Sequence, residues 1–496
     1  MSTSLLATDG YKFSMAEAGW PLREETFYYC HRKGGAQVLP FDVEQELSHA
    51  LPRPTPADYS FLSAEEYEMG AGFKAAITRA AKLVVRALPK GAVFFDREPV
   101  FCVSGPSALV SWLEPLVLMW SYRIQVATLA LSEPEKLAEA VATVTCERQR
   151  QLVLETLDAV GVRAPPIRVD ADGYAERVRA RVSELVEIVG DASRIFEVGL
   201  RAASCVEQHL LALEAAKSAG LKRTSHVLGA QRLSLTPVGT MGHEHVQRYG
   251  SDEAAFRAMS ERRPHRSSYL LDTFDTMKSG IPAALALIAE RRGEGDSIRY
   301  DSGDKEAQYR FACARSDELG VKPVQILEDG FDAAQTRRFE QLRAELGVEP
   351  SRQVYGYGGY LIASTAGGLT RDRVAAVYKL SQTGRRATMK FANDAGAGKQ
   401  SIPGRPMALR RRGEGAVSLI VQQGEAAPAG WEPVTSVPLS DAKAAGAELS
   451  KWRSRSGQEL SSETQQLIAQ CHQSAFSRLG AGEGGRGEAR PDEGRS

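Results

Sequence analysis

The chain has 496 residues, 62 Lys plus Arg against 62 Asp plus Glu, and 43% hydrophobic residues. At roughly 100–200 residues per domain this predicts about two to four structural units, and the apolar content excludes a disordered chain. Zero net charge argues against a dedicated nucleic-acid binder but leaves room for a local basic site.

The first residues, Met1 to Phe13, lack a basic run before an apolar core, so no signal peptide is read. The richest apolar stretch, 108–130, is interrupted by Glu114, Pro115 and Arg123, so no membrane span is predicted. Cys30, Cys102, Cys146, Cys205, Cys313 and Cys471 form no CxxC pair, which points to a reducing, cytoplasmic setting.

Short β-rich runs occupy 26–30, 83–88, 92–95 and 99–103, the last three spaced as a meander, and a long amphipathic helix is predicted through 112–131. From about 195 to 360, strands are predicted at 195–200, 224–228, 237–241, 269–272, 297–300, 323–327 and 353–356. Helical segments at 202–219, 253–261, 283–291, 305–318 and 333–346 separate most of them. From Pro237 onward the strands recur every 26 to 32 residues, the length of a βα unit, which implies parallel strands. Seven such strands predict a barrel rather than an open sheet. Beyond 375, β texture returns at 375–380, 387–391 and 417–421, in position to complete the N-terminal sheet. The Gly-rich, charged residues 480–496 read as a disordered tail.

Active sites of βα barrels gather at the carboxyl ends of the strands. Those positions hold Arg201, Gly242-His243-Glu244-His245, Asp272-Thr273-Phe274-Asp275, Arg299 with Asp301-Ser302-Gly303-Asp304, and Gly356-Tyr357-Gly358-Gly359. Histidine, carboxylates, arginines and a glycine-rich turn suit a phosphorylated, metal-assisted substrate. The turn at Gly356, Gly358 and Gly359 exposes backbone amides suited to phosphate, and Arg371 is placed to neutralise it, although such a run is more often only a tight turn. Asn393 to Gln400 imitates a P-loop but lacks its first Gly and its Ser/Thr. On an extended strand His243 and His245 would share a face, either as metal ligands or as an acid–base or nucleophilic histidine beside Glu244; a hydrogen-bonded loop histidine is equally compatible. Asp301 and Asp304 suit ribose hydroxyls or Mg²⁺, with Asp304 as a helix cap the plainer alternative.

These residues carry a resemblance. Ala7-Thr8-Asp9-Gly10-Tyr11-Lys12, Cys30-His31-Arg32-Lys33, Glu197-Val198-Gly199-Leu200-Arg201, Gly239-Thr240-Met241-Gly242-His243-Glu244, Leu271-Asp272-Thr273-Phe274-Asp275, Ile298-Arg299-Tyr300-Asp301-Ser302-Gly303-Asp304 and Tyr378-Lys379-Leu380 occur in the family's order. From about Leu6 to Arg410 the chain resembles the nicotinate phosphoribosyltransferases and, more distantly, their nicotinamide-using relatives. The resemblance implies an irregular TIM-like βα barrel plus an open sandwich domain built from both ends of the chain. The implied division is 1–125 and 375–479 for the sandwich, and 126–374 for the helical connection and barrel. It also implies a homodimer in which Asp9 and Tyr11 act in the partner's site.

The implied reaction joins nicotinate to phosphoribosyl pyrophosphate, with Mg²⁺ and with ATP as co-substrate, giving nicotinate mononucleotide in NAD salvage. His243 matches the family's phosphorylated histidine. Asp301 would stabilise the ribosyl cation, and Asp304 would be a metal ligand. Arg32, Lys33, Val198, Arg201, Ser225 and Arg299 would bind substrate. Two positions depart from the pattern. Val198 stands where an aromatic usually stacks on the pyridine, and Ser225 stands where nicotinamide-using relatives carry an Asp, which favours nicotinate. The stretch Gly356 to Gly359 and Leu369-Thr370-Arg371-Asp372 look closer to the nicotinamide branch. A nicotinamide enzyme, a non-catalytic ligand-binding homologue and a metal-dependent hydrolase are the competing readings.

Overall fold

Each of the seven apolar runs between 195 and 360 contributes a strand to one parallel sheet. The computed structural model describes residues 3–78, 83–239, 241–265, 267–293, 295–363, 368–391, 400–411, 417–439, 441–452 and 457–480. The predicted P-loop-like run at 393–399, Thr240 and the tail at 481–496 lie outside them.

In spatial order the sheet runs Thr236–Pro237, Arg223–Thr224, Ile195–Glu197, Gln353–Tyr357, Val324–Leu327, Ser297–Tyr300, Ser268–Leu270. Ile195–Glu197 pairs with Gln353–Tyr357, so the first and last strands in sequence are joined and the curled sheet stays open between Thr236–Pro237 and Ser268–Leu270. Pro237 has no N–H to offer at that open edge. The result is a half-barrel rather than the expected closed barrel.

Two predicted strands shrink to two residues. The run 224–228 turns after Thr224 into the helix Val227–Leu233, whose Val227, Leu228 and Ala230 are buried at helical spacing. A short apolar run does not by itself separate strand from helix. Likewise 237–241 yields only Thr236–Pro237 before the helix His243–Tyr249.

A second, antiparallel sheet uses both ends of the chain. Its order is Arg386–Ala387, Ala376–Thr383, Glu24–His31, Phe101–Pro106, Val84–Ala87. Glu24–His31 is the central strand, with Glu25 opposite Thr383 on one side and Thr26 opposite Ser104 on the other. The predicted meander is interrupted: Val93–Phe94 leaves it to pair with Gln37–Val38. Val417–Gln422 does not join this sheet but a separate four-stranded one with Pro406–Arg411, Trp431–Pro433 and Gly457–Leu460. Most of 387–391 is not a strand; it carries Lys390 inward.

The helix Glu114–Ser132 is not amphipathic as predicted. It is buried on nearly every side, against strand Ala376–Thr383, the turn Leu200–Ala202 and helix Glu147–Ala159. An all-round apolar helix belongs inside a large core. Among the described residues no helix is long and apolar enough to cross a membrane.

Candidate active site

A pocket of about 250 Å³ opens where strand ends of the half-barrel face strand Ala376–Thr383. Its centre is His243. The helix His243–Tyr249 starts there, and the next two strands deliver Asp272-Thr273 and Asp301 beside it. His243 Nδ1 lies 3.0 Å from Thr273 Oγ1, and Nε2 lies 3.3 Å from Asp301 Oδ2. Lys390 Nζ approaches Nε2 at 2.8 Å and donates to Asp272 Oδ2 at 2.9 Å. A lysine ammonium has no acceptor, so Nε2 carries the lone pair and Nδ1–H donates to Thr273. Burial, reinforced by the Lys390 charge, pushes His243 down to about 4, leaving a neutral imidazole at pH 7. Burial alone would raise the Asp301 carboxyl, but the Lys390 and Arg299 charges hold it well below the usual range. Asp272 is lowered as well, by the Lys390 charge and a hydrogen bond from Ser302 against burial.

A second charged cluster forms the adjoining wall. Lys12 bridges Glu114 at 2.7 Å and Glu244 at 2.9 Å, and Tyr11 Oη donates to Glu114 at 2.7 Å. Glu244 also accepts from Ser111 at 2.6 Å, so it does not orient His243 as its sequence neighbourhood suggested. Arg201 lies 3.7 Å from Asp9 and 3.8 Å from Glu114, over the Tyr11 ring. Asp9 accepts from Ser225 Oγ at 2.6 Å, and burial raises its carboxyl despite Arg201. Within the single chain Asp9 thus stands beside Arg201, and Tyr11 lines the same pocket as His243.

Arg32, Arg201, Arg299, Arg371, Lys379 and Lys390 all line the pocket. Burial pushes Lys379 down to about 7, helped by Lys390 and Arg32 and opposed by Glu114. So many cations converging on one buried cleft suit a polyanionic ligand.

Other predicted residues sit elsewhere. His245 does not share a face with His243; on a helix its Nε2 turns to the Ala255 carbonyl at 3.0 Å. The two-histidine metal site is therefore not formed. Asp304 caps helix Lys305–Leu319, accepting from Ala307 N, and does not join the pocket. Lys33 is exposed and Ser225 is buried behind Asp9. Val198 is half-buried beside Gly358 and does not line the pocket. Gly356 is a packing glycine: a Cβ would meet Glu328 Cγ at 2.6 Å and Phe196 Cε2 at 2.9 Å. Gly359 begins a four-residue helix and faces the Asp372 carboxylate, so the glycine turn does not present a free phosphate cradle. Arg371 reaches the pocket while its Nε donates to the Ala376 carbonyl.

Among the described residues, His243, Asp272 and Asp301 are a group whose ligand atoms lie close enough to hold a metal ion. Lys390 already places a cation among them, 2.9 Å from Asp272. An imidazole and an ammonium do not suit a protein-held Mg²⁺, which prefers oxygens. Of the two carboxylates in this group, Asp301, with its side chain 26% exposed, is the one that faces the pocket.

The sequence reading missed Lys390, Lys12 and Glu114 as site residues. Two of them carried a signal: Lys390 lies between Met389 and Phe391, and Glu114 breaks the most apolar stretch of the chain. Charges inside apolar runs are buried only when paired.

No protein-family profile matches the chain. Among curated proteins, the nicotinate phosphoribosyltransferase of Bacillus subtilis is 28% identical over 211 residues, 42% of this chain and 40% of that protein. The human nicotinate phosphoribosyltransferase is 26% identical over 353 residues, 67% of this chain and 61% of that protein. The chain thus spans less than two thirds of the length of either relative. Among solved structures, the Porphyromonas gingivalis nicotinate phosphoribosyltransferase superposes with a TM-score of 0.58 at 18% identity, covering 81% of this chain and 96% of that one. That of Vibrio cholerae gives 0.56 at 19%, covering 79% and 88%.

Proposed function

We propose that this chain, related in sequence and similar in fold to the nicotinate phosphoribosyltransferases, transfers the phosphoribosyl group of phosphoribosyl pyrophosphate to nicotinate, assisted by ATP. The observation that carries this reading is the neutral His243, held between Thr273, Lys390 and Asp301 in a pocket lined by arginines and lysines.

Displacing pyrophosphate builds positive charge on the ribosyl ring and negative charge on the leaving group. The ionised Asp301 stabilises the first, and Arg299, Arg32 and Lys379 stabilise the second. Mg²⁺ enters as part of the diphosphate substrate, with Asp301 a protein oxygen available to it. Arg201, beside the Tyr11 ring, offers a guanidinium to the nicotinate carboxylate. That favours nicotinate over nicotinamide, and Ser225 contributes only by holding Asp9 against Arg201.

For ATP coupling, His243 Nε2 is the nucleophile. It forms a bond to the γ-phosphorus as ADP leaves, and Lys390 moves its N–H from Nε2 to a phosphoryl oxygen. Nδ1–H stays on Thr273, so the ring needs no proton transfer in that step. A homodimer acting in the cytoplasm belongs to the same proposal. A metal-dependent hydrolase loses support because His245 turns away. A non-catalytic homologue has no need to keep Lys390, Asp272 and Asp301 around His243.

The test is nucleotide formation from phosphoribosyl pyrophosphate and Mg²⁺ with nicotinate, nicotinamide or quinolinate, each with and without ATP. Nicotinate mononucleotide formation stimulated by ATP is expected. Product from nicotinamide alone would select the alternative substrate, and no product from any base with folded protein would overturn the reading.

A further inference from the structure

Two cysteines that are 59 residues apart in sequence meet in space: Cys146 Sγ and Cys205 Sγ are 3.7 Å apart. Each stands at the N-terminus of a 13-residue helix, Glu147–Ala159 and Val206–Ser218. Neither belongs to the pocket around His243. Helix N-termini favour negative charge on a nearby sulfur.

We propose that Cys146 and Cys205 are a peroxide-responsive thiol pair whose disulfide acts on the pocket through the turn that carries Arg201. Cys146 is the half-buried member and takes the oxidant, while Cys205, 6% exposed, resolves it. The Cys146 thiolate attacks hydrogen peroxide, giving a sulfenic acid and, with one proton, water. The Cys205 sulfur then attacks that sulfenic acid, forming the S–S bond and releasing a second water. The two electrons lost by the sulfurs reduce the O–O bond.

The chemistry around the pair supports this order. The Cys205 thiol, donating toward Cys146, draws Cys146 down to about 7 against its burial, and the Gln149 amide adds to the effect. The other cysteines differ. Burial pushes Cys30, Cys313 and Cys471 up to about 11 and Cys102 up to about 12, so they remain thiols.

Closing the bond brings the sulfurs from 3.7 Å to about 2.05 Å. Cys205 lies four residues beyond Arg201, just past the buried turn Leu200–Ala202. That turn packs on helix Glu114–Ser132, so movement there shifts Arg201 relative to Glu114, its partner at 3.8 Å. Displacement of a positioning group by about 1 Å can weaken catalysis by about a hundredfold.

The activity arm rests on the function proposed above; the bond itself does not. Full-length protein treated with hydrogen peroxide is digested without reduction and its peptides are weighed, while inorganic pyrophosphate binding and nucleotide formation are measured in parallel. The Cys146 and Cys205 peptides should be joined, two thiols should be lost, and binding and turnover should fall by about tenfold and return with dithiothreitol. In Cys205→Ser, peroxide should leave a sulfenic acid on Cys146 that dimedone traps. A missing cross-link in wild type, or a cross-link that leaves pyrophosphate binding and turnover unchanged, overturns the proposal. Untreated protein without turnover counts against the phosphoribosyl reading instead.

Discussion

Replacing Lys390 with Met keeps most of the side-chain length and removes the charge 2.8 Å from His243 Nε2. In the native protein burial and Lys390 together hold His243 at about 4 instead of the ordinary 6.5. That difference corresponds to about 3 kcal/mol. A unit charge at about 4 Å contributes about 1 kcal/mol in water and about 4 kcal/mol at an effective dielectric constant of 20, so Lys390 adds substantially to the larger effect of burial. With Lys390 gone, Asp272 and Asp301 face the ring without a cation between them, which favours the imidazolium further. His243 in Lys390→Met should therefore titrate at or above about 6.5 by NMR, while in the native chain it stays neutral down to about 5.

A protonated Nε2 has no lone pair for phosphorus. ATP stimulation in the variant should thus fall as pH drops through about 6.5, whereas native stimulation persists to about 5. Stability gives an independent reading. The native ring binds fewer protons folded than unfolded between 6.5 and 4, so its contribution is present above 6.5 and is lost as pH falls to about 4. The variant lacks that loss, so its stability relative to native protein should improve by about 3 kcal/mol across this window. A His243 midpoint remaining below about 5 in Lys390→Met would refute the electrostatic account.

Ser225→Asp places a carboxylate against Asp9, where Ser225 Oγ now donates at 2.6 Å. It should destabilise the fold by about 3 kcal/mol in urea titrations and lower activity with both pyridine substrates, rather than exchange one for the other; an unchanged midpoint with a switched preference would contradict the buried placement. Mixing inactive Tyr11→Ala with inactive Asp301→Ala should restore no activity, because both residues line one chain's own pocket; recovery of about a quarter after confirmed subunit exchange would establish sites shared between subunits. Gly199→Ala should cost about 1–3 kcal/mol, since its Cβ would lie 2.8 Å from Glu197 Oε1 and 2.9 Å from the Gly358 carbonyl; denaturation midpoints check this.

The parallel sheet was legible because its strands are continuous apolar runs spaced by helices, and Ser297–Tyr300 matched residue for residue. His243, Arg299, Arg201 and Asp301 were legible as strand-end positions, and the structure brings all of them to one pocket. The orientation of His245 was not, since an HxH pair shares a face on a strand but diverges on a helix. Lys390, Lys12 and Glu114 were missed because their partners lie 118, 232 and 103 residues away. Such pairings depend on tertiary contact, and local periodicity carries no trace of them. Val417–Gln422 was assigned to the wrong sheet for a related reason: strand texture records burial but not which edge a strand will meet.

The central strand Glu24–His31 also bears on how the chain matures. Its partner across Glu25 and Thr383 is 358 residues downstream. At about 5–20 residues per second, a ribosome needs about 20–70 s to produce that partner. During this interval one edge of Glu24–His31 lacks its native neighbour and is open to pairing with another nascent chain. Lys390 emerges later still, so the half-barrel can be synthesised in full before the charge that keeps His243 neutral arrives. A polypeptide ending just before Lys390 would have every strand of the parallel sheet and a histidine that lacks its neighbouring cation, so its ring would take up a proton closer to neutral pH.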